Sequence, residues 1–589
     1  MSYKLCRITQ GSEKKMLQYD DILKNILGEF GWYQKRNCIL LCLMAVTVSI
    51  WQMSPVFLHV EVAHWCRVPG SEDILTECMT FNLSRDSCIE TLHDLTIPKE
   101  YVYDNKVCSS VLKPSSCLRY DSDFLELELP FIDRRNFTNT SFNAIACDHG
   151  WEYDTRKYTS AVMQEFDLVC EKYYLGTLLT SIYMAGFVIG SFIFGPLSDR
   201  IGRLKSLLIA VCGLLVFGVI SAFSQNLTML TAFRFLTAIC GTGIYHQSFV
   251  LATELVGPSK RPLMGALFML MYATGYIGLG VMAFFVRSWR TLLLTMTLPN
   301  LVFLSYYCVL DESPRWLLSV GKRKKAEKII SKKARINGVS KSSSDELFAL
   351  FTLNTEKEDI EVKSSGLKKA KRGRALDLVK YPNLRKKILI MCFSGFTAGL
   401  VYYGFSFNTP NLGGNEFINA GLAGAAEIPG NFLMLVLVKS MLGRRLTYFG
   451  VFILAGVASL STVLISKCGD LMWLNTTVSM LGKCIITIAY NLSWVYAAEL
   501  FPTPVRSLGV SMTSMSGMFA SILAPQIIYG RVLWIHLPQC IFGIMPLIAG
   551  FLALLLPETR GKKLPETIED GEAFGRKQRC RRQKTLPRR

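Results

Sequence analysis

The nine residues "GPLSDRIGR" (195–203) break a long hydrophobic stretch into two blocks, about 174–197 and about 206–225. Each block is near the ~20 residues that a helix needs to cross a ~30 Å hydrocarbon core. Between them lies a tight polar turn with two glycines, two arginines and Asp199. A weaker copy, "VKSMLGRR" (438–445), joins two later blocks, with Ser440 where Asp199 would fall. A turn that returns in the second part of the chain signals two repeated halves.

Working outward, twelve such blocks can be counted. Six lie at about 37–59, 174–197, 206–225, 229–253, 263–285 and 289–310. Six more lie at about 387–407, 419–440, 446–467, 471–497, 507–529 and 536–556. They are too long for strands and too uniform for surface helices. The expected fold class is an all-α polytopic membrane protein, with twelve transmembrane helices in two six-helix halves. In such a layout a ligand site falls near the bilayer midplane, between the halves.

Composition agrees. Half of the 589 residues are hydrophobic and 19% are charged, and the mean hydropathy is +0.30. The net charge of +20 could suggest nucleic acid, but its placement argues otherwise. Acids outnumber bases between Glu61 and Lys172, while Lys and Arg dominate 311–387 and the stretch after Pro557. That segregation is the positive-inside pattern. It makes 1–36 a cytoplasmic N-terminus, 60–173 an extracellular loop, 311–386 a basic cytoplasmic loop and 557–589 a basic cytoplasmic tail. The chain starts polar, so the 37–59 block reads as a signal anchor.

The 60–173 loop holds Cys66, Cys78, Cys88, Cys108, Cys117, Cys147 and Cys170. That density reads as a disulfide-stapled extracellular domain, with one thiol left over and no connectivity implied. Asn82, Asn136 and Asn139 head glycosylation tripeptides there, whereas the tripeptide at Asn491 lies inside a span and is discounted. No Ser-His-Asp order, metal-ligand spacing or phosphate loop stands out. Neither an enzyme nor a metal or cofactor site is expected.

The turn at 195–203 resembles the signature of the major facilitator superfamily. Further motifs narrow the resemblance: "GWYQK" (31–35), the Cys-rich loop, "TELVGPSKR" (253–261), "DESPRWLL" (311–318), "AELFPTPVR" (498–506) and "LPETRGKKLPET" (556–567). Together they look like the organic cation/carnitine/anion transporter family (solute carrier family 22-like). The resemblance implies a plasma-membrane carrier of small organic ions working by alternating access. The partners it implies are that small organic ion and the lipid bilayer, with sodium or proton coupling and a homo-oligomer left open. It also implies gating charges at the cytoplasmic helix ends: Asp199, Arg203, Glu254, Arg261, Glu499 and Arg506. Arg315, Glu558 and Glu566 read equally well as gates or as orientation charges.

Ionisable residues inside spans are costly and usually functional. Glu427, in "EIPG", reads as a cation contact or as an internal partner of Arg234, Lys483 or the backbone. Lys483 reads as a packing residue or as the contact for a substrate carboxylate. Arg234 reads as its structural counterpart in the first half, and His246 as a packing residue or a proton-linked group. Aromatic faces hold organic cations. Aligned to the family, Tyr33, Tyr245, Tyr272, Tyr402, Tyr403 and Tyr490, with Asn491, become substrate-binding candidates. Met518 falls where relatives place the charge that sets substrate sign, on a face shared with Ser511, Ser514 and Ser521. A cation or zwitterion such as a carnitine-like amine is the leading reading. An organic anion held by Lys483, or a non-transporting sensor or scaffold on the same fold, are the alternatives.

Overall fold

Residues 29–68, 85–104, 109–121, 143–338, 375–465 and 472–575 are described by the computed structural model, with Leu23, Thr76 and Met79 as isolated positions. Asn82, Asn136 and Asn139 lie outside the described residues, as do Cys78 and Cys108.

The first half contains α1 (Trp32–Met53), α2 (Tyr173–Ile201), α3 (Arg203–Ala222), α4 (Leu227–Leu255), α5 (Arg261–Phe285) and α6 (Trp289–Thr297). The second contains α7 (Pro382–Phe407), α8 (Glu416–Lys439), α9 (Gly443–Ile465), α10 (Met472–Leu500), α11 (Arg506–Tyr529) and α12 (Leu537–Ala553). Eleven helical segments among the described residues are long and apolar enough to cross a membrane. The twelfth expected span, 536–556, is helical over Leu537–Ala553 alone, 17 residues. The sixth keeps its length by another route. Pro299 cannot donate a backbone hydrogen bond, and α6 passes into a 3₁₀ stretch, Leu298–Ser305. Polar caps set other ends: Asn226 Oδ1 accepts from the Met229 amide at the start of α4, and Asn415 caps α8.

The turn that opened the sequence reading has a backbone reason. Gly202 (φ +109°) follows the last residue of α2, and Gly443 (φ +77°) is the corresponding glycine at the start of α9. Both φ values favour glycine, the residue without a Cβ penalty there.

Between α1 and α2 sits a small domain of three antiparallel pairs. β1 (His64–Cys66) pairs with β6 (Trp151–Tyr153), β2 (Lys99–Asp104) with β3 (Ser109–Pro114), and β4 (Leu118–Tyr120) with β5 (Ala144–Ala146). Disulfides join Cys66 to Cys147 and Cys117 to Cys170, and Cys88 is also disulfide-bonded. Arg119 holds Asp148 by two hydrogen bonds of 2.7 and 2.8 Å. That guanidinium draws the Asp148 carboxyl down to a pKa of about 2.

The halves meet through α2 on α11 and α5 on α8. Their polar links run from mid-membrane toward the disulfide domain. Gln52 reaches Tyr403 at 2.7 Å, Ser181 donates to the Ile522 carbonyl at 2.7 Å, and Tyr276 donates to the Ser406 carbonyl at 3.2 Å. Nearest that domain, Arg531 binds Glu61 at 2.6 Å, and Lys157 and Tyr158 both bind Glu416. On the opposite, basic face, the charged clusters close within each half.

Candidate functional site

A cavity opens at mid-membrane where α1, α2, α4 and α5 face α7, α8, α10 and α11. Five tyrosines stand on its wall. Tyr245 and Tyr272 stand on one side, edge to face with centroids 6.2 Å apart. Tyr402 and Tyr490 stack on the other at 5.3 Å, and Tyr403 sits edge-on to Tyr402 at 5.2 Å. Glu427, Asn491 and Met518 complete the set that the sequence singled out and that lines this space.

Glu427 is the only acid on the lining and is 2% exposed. Two groups hold it: the Tyr402 hydroxyl donates to its Oε1 at 2.6 Å, and Lys483 Nζ lies 3.0 Å from the same oxygen. Lys483 in turn donates to the Tyr402 carbonyl at 3.2 Å and to Ser406 Oγ at 2.5 Å. Its amine sits 3.2 Å from the centre of the Tyr402 ring. The "EIPG" sequence makes this approach feasible. A Cβ at Gly430 would stand 2.8 Å from the Cys484 carbonyl, so α8 and α10 come together there only around a glycine. Buried charges need both a partner and hydrogen bonds, and this cluster supplies both.

Three expectations need correction. Lys483 does not line the cavity; it stands behind Glu427, where its charge is already matched. Tyr33 is not near the cavity either. It is fully buried at the foot of α1, its hydroxyl donates to Asp311 at 2.8 Å, and its amide donates to Asn337 at 3.1 Å. It thereby docks the basic helix Arg323–Ile336, whose Lys333 amine lies 5.3 Å from the centre of the Tyr33 ring. Lastly, Arg234 and Lys483 are not equivalent in depth. Arg234 lies twenty residues before Glu254 and Lys483 sixteen before Glu499, a difference of about one helical turn.

Among the residues named on the α11 face, Met518 reaches the cavity. Ser521 is buried and donates to the Met518 carbonyl at 2.6 Å, Ser514 donates to the Val510 carbonyl at 2.9 Å, and Ser511 is exposed. His246 lines the cavity, and its Nε2 is buried without a hydrogen-bond partner.

The sequence reading missed several residues. Gln52 bridges the halves, accepting from Tyr272 at 2.8 Å while donating to Tyr403. Asn431 pairs with Asn491 at 2.6 Å, and Trp494 packs beside Tyr490. An amide in an otherwise apolar block was the available signal for Gln52 and Asn431.

On the basic face the repeat is explicit. Arg203 binds Asp199 at 2.5 Å and Glu254 at 3.4 Å. Glu312 accepts from the Arg203 and Leu204 amides at 2.9 and 3.1 Å. In the second half Arg444 binds Glu499 at 3.0 Å, and Glu558 accepts from the Arg444 and Arg445 amides at 2.8 and 3.0 Å. Arg261 and Arg506 donate to carbonyls near their own helix starts, Thr253 for the first and Phe501 and Pro565 for the second. Of the expected charges, Arg203 pairs with Asp199 and Glu254 inside the first half, whereas Glu499 pairs with Arg444 and not with Arg506. Glu312 and Arg444 were absent from the expected set.

Two pseudo-repeated six-helix halves around a midplane cavity define a membrane transporter of the major facilitator type. Comparison with known proteins narrows this. A family profile described as "Sugar (and other) transporter" matches residues 139–570. A Drosophila melanogaster protein named "Organic cation transporter protein" is 35% identical, covering 95% of each chain. "Solute carrier family 22 member 3" of Mus musculus is 34% identical over 97% of this chain and 98% of its own. "Solute carrier family 22 member 2" of Homo sapiens is 33% identical, covering 95% of each. Among solved structures, the inward open conformation of the xylose transporter XylE from E. coli gives a TM-score of 0.55 at 18% identity, covering 70% of this chain and 93% of that one. A D-xylose-proton symporter gives 0.53 at 14% identity, covering 90% and 100%. At those identities the likeness is one of fold. The chain belongs to the sugar (and other) transporter family and, within it, to solute carrier family 22.

Proposed function

We propose that this transporter moves small organic cations or zwitterions, carnitine-like quaternary amines among them, across the plasma membrane. The observation that carries the reading is Glu427: one buried carboxylate facing a cavity walled by tyrosine rings. Lys483 offsets part of the Glu427 charge, but of the two groups the carboxylate is the one on the cavity wall, where it and the aromatic faces favour an ammonium. The name of the Drosophila melanogaster relative points the same way. Lys483 does not favour the anion reading, because it stands behind Glu427 and off the cavity wall.

The disulfides suit an oxidising compartment, so the disulfide domain is taken as extracellular and the basic face as cytoplasmic. On that assignment the halves are joined outside and the conformation faces inward. Alternating access then requires the external links to break and the turns at Arg203 and Arg444 to come together across the two halves, which is the gating role proposed for those clusters.

Uptake of labelled tetraethylammonium, carnitine and para-aminohippurate, each with and without sodium, tests the reading in cells expressing the chain. Cation or carnitine uptake above the background of untransfected cells is expected. Uptake of para-aminohippurate alone would favour the anion carrier. No uptake of any of the three, with the protein at the cell surface, would favour the sensor or scaffold.

A further inference from the structure

A second cavity lies between the halves on the disulfide side, bounded by the ends of α1, α2, α7 and α11. Phe407 is on its wall, and the Phe407 ring stacks on Tyr403 of the central cavity at 5.9 Å. The two cavities are thus consecutive along the axis between the halves. On the wall of the outer one stands Arg531, from the 3₁₀ turn Gly530–Val532 that follows α11. Three oxygens hold it: Glu61 Oε2 at 2.6 Å, the Tyr173 hydroxyl at 3.1 Å, and Asn411 Oδ1. Tyr173 also donates to Glu61 at 3.3 Å.

The ownership of these groups matters. Glu61 and Tyr173 belong to the first half, Arg531 and Asn411 to the second. Parting of the halves on this side withdraws the guanidinium and leaves the carboxylate and the phenol together. Glu61 keeps 46% of its side chain accessible even now, so a solute can reach it. We propose that the outer cavity is a second organic-cation site, the first on the access path from the disulfide side, and that Arg531 fills the cation's place while the halves are joined. The ligand class rests on the function proposed above: an ammonium or guanidinium, recognised by carboxylate and phenol. The neighbouring Lys157–Glu416 contact differs, because the Glu416 side chain is only 8% exposed and has Tyr158 on its other oxygen. That contact is a latch; Glu61 is an accessible acceptor.

A latch and a site make opposite forecasts for the two partners. Initial uptake of labelled tetraethylammonium is measured for the full chain, Glu61→Gln and Arg531→Gln, each normalised to surface protein. A site requires Glu61→Gln to raise KM about three- to fivefold, the scale of an exposed ion pair. It requires Arg531→Gln to lower KM by a similar factor, because the tethered competitor is gone. A pure latch loses the same pair in both variants, so KM shifts of the same sign overturn the proposal. A second readout needs no transport. Thr177, on the outer wall, is changed to cysteine (Thr177→Cys) and labelled from outside with an impermeant thiol reagent. Tetraethylammonium should slow that labelling, also in a Glu427→Gln background, and should fail to do so with Glu61→Gln. Absence of slowing, or slowing that survives Glu61→Gln, overturns the outer site. If no cation is taken up at all, the central-site reading fails, and the labelling result alone decides the outer site.

Discussion

Arg234 and Lys483 are both buried deep in the membrane helices, and their surroundings differ in their partners. Each touches a serine at the end of its half's leading helix: Arg234 reaches Ser54, just past α1, at 3.0 Å, and Lys483 reaches Ser406, in the last turn of α7, at 2.5 Å. Each lies over a tyrosine ring, Tyr183 at 4.0 Å for Arg234 and Tyr402 at 3.2 Å for Lys483. Only Lys483 has a carboxylate, Glu427, within ion-pair distance. Arg234 keeps two guanidinium nitrogens, Nε and Nη1, without hydrogen-bond partners. The same packing device thus occurs in both halves, but the second half adds an acid and turns it toward the cavity. The pair is asymmetric: Arg234 has no acid partner among the described residues, whereas Lys483 backs Glu427 on the cavity wall.

The largest expected effect is that of Lys483→Met. Removing one partner of a buried pair costs about 3–5 kcal/mol, so surface protein should fall steeply, as read by biotinylation. Next is Glu427→Gln. Lys483 keeps Ser406, the Tyr402 carbonyl and the ring, so the fold should suffer less than transport. Cation uptake should fall about tenfold or more, roughly 1.4 kcal/mol, beyond any loss of surface protein. Equal losses would make Glu427 a structural group. Arg234→Met should be milder in stability, about 1–2 kcal/mol, because it orphans no carboxylate. It should leave KM for cations unchanged; an altered KM would break the division of roles drawn above.

Smaller effects test the repeat on the basic face. Glu312→Gln and Glu558→Gln should slow maximal uptake alike, each weakening charge-assisted bonds to two amides by about 1–2 kcal/mol. A large difference between them would show that the halves use their turns differently. The smallest effect concerns pH. Asp148 is held below its ordinary carboxylate value, to about 2, by Arg119. Its contribution is present above the unfolded value of about 4 and is lost only as pH falls through about 2. Acidification from pH 7 to 5 should leave the fold of the disulfide domain unchanged by circular dichroism, and earlier unfolding would point to other groups.

Much of this was legible in the sequence because it is local. Block length, the glycine turn and its weaker echo follow from residues a few positions apart. Part of the cavity wall was legible through resemblance: Tyr245, Tyr272, Tyr402, Tyr403, Tyr490 and Glu427 all lie on it. What could not be read depends on helix rotation and depth. Lys483 and Glu427 lie on different helices, and whether the amine faces the cavity or backs the acid is decided by the close approach at Gly430. Tyr33 heads an apolar helix just as a pocket residue would, but its partner Asp311 comes from beyond α6. Glu312 and Glu558 cap turns more than a hundred positions away, a relation that spacing alone does not carry.

The central claim is that Glu427 serves the substrate and not merely Lys483. The double variant Glu427→Gln/Lys483→Met tests it most directly, since it removes both charges and orphans neither. Tetraethylammonium uptake per surface molecule should stay at least about tenfold below wild type, while surface abundance recovers relative to Lys483→Met. Recovery of uptake to near wild type in that double variant would contradict the account, and Glu427 would then be a counter-ion to Lys483 alone.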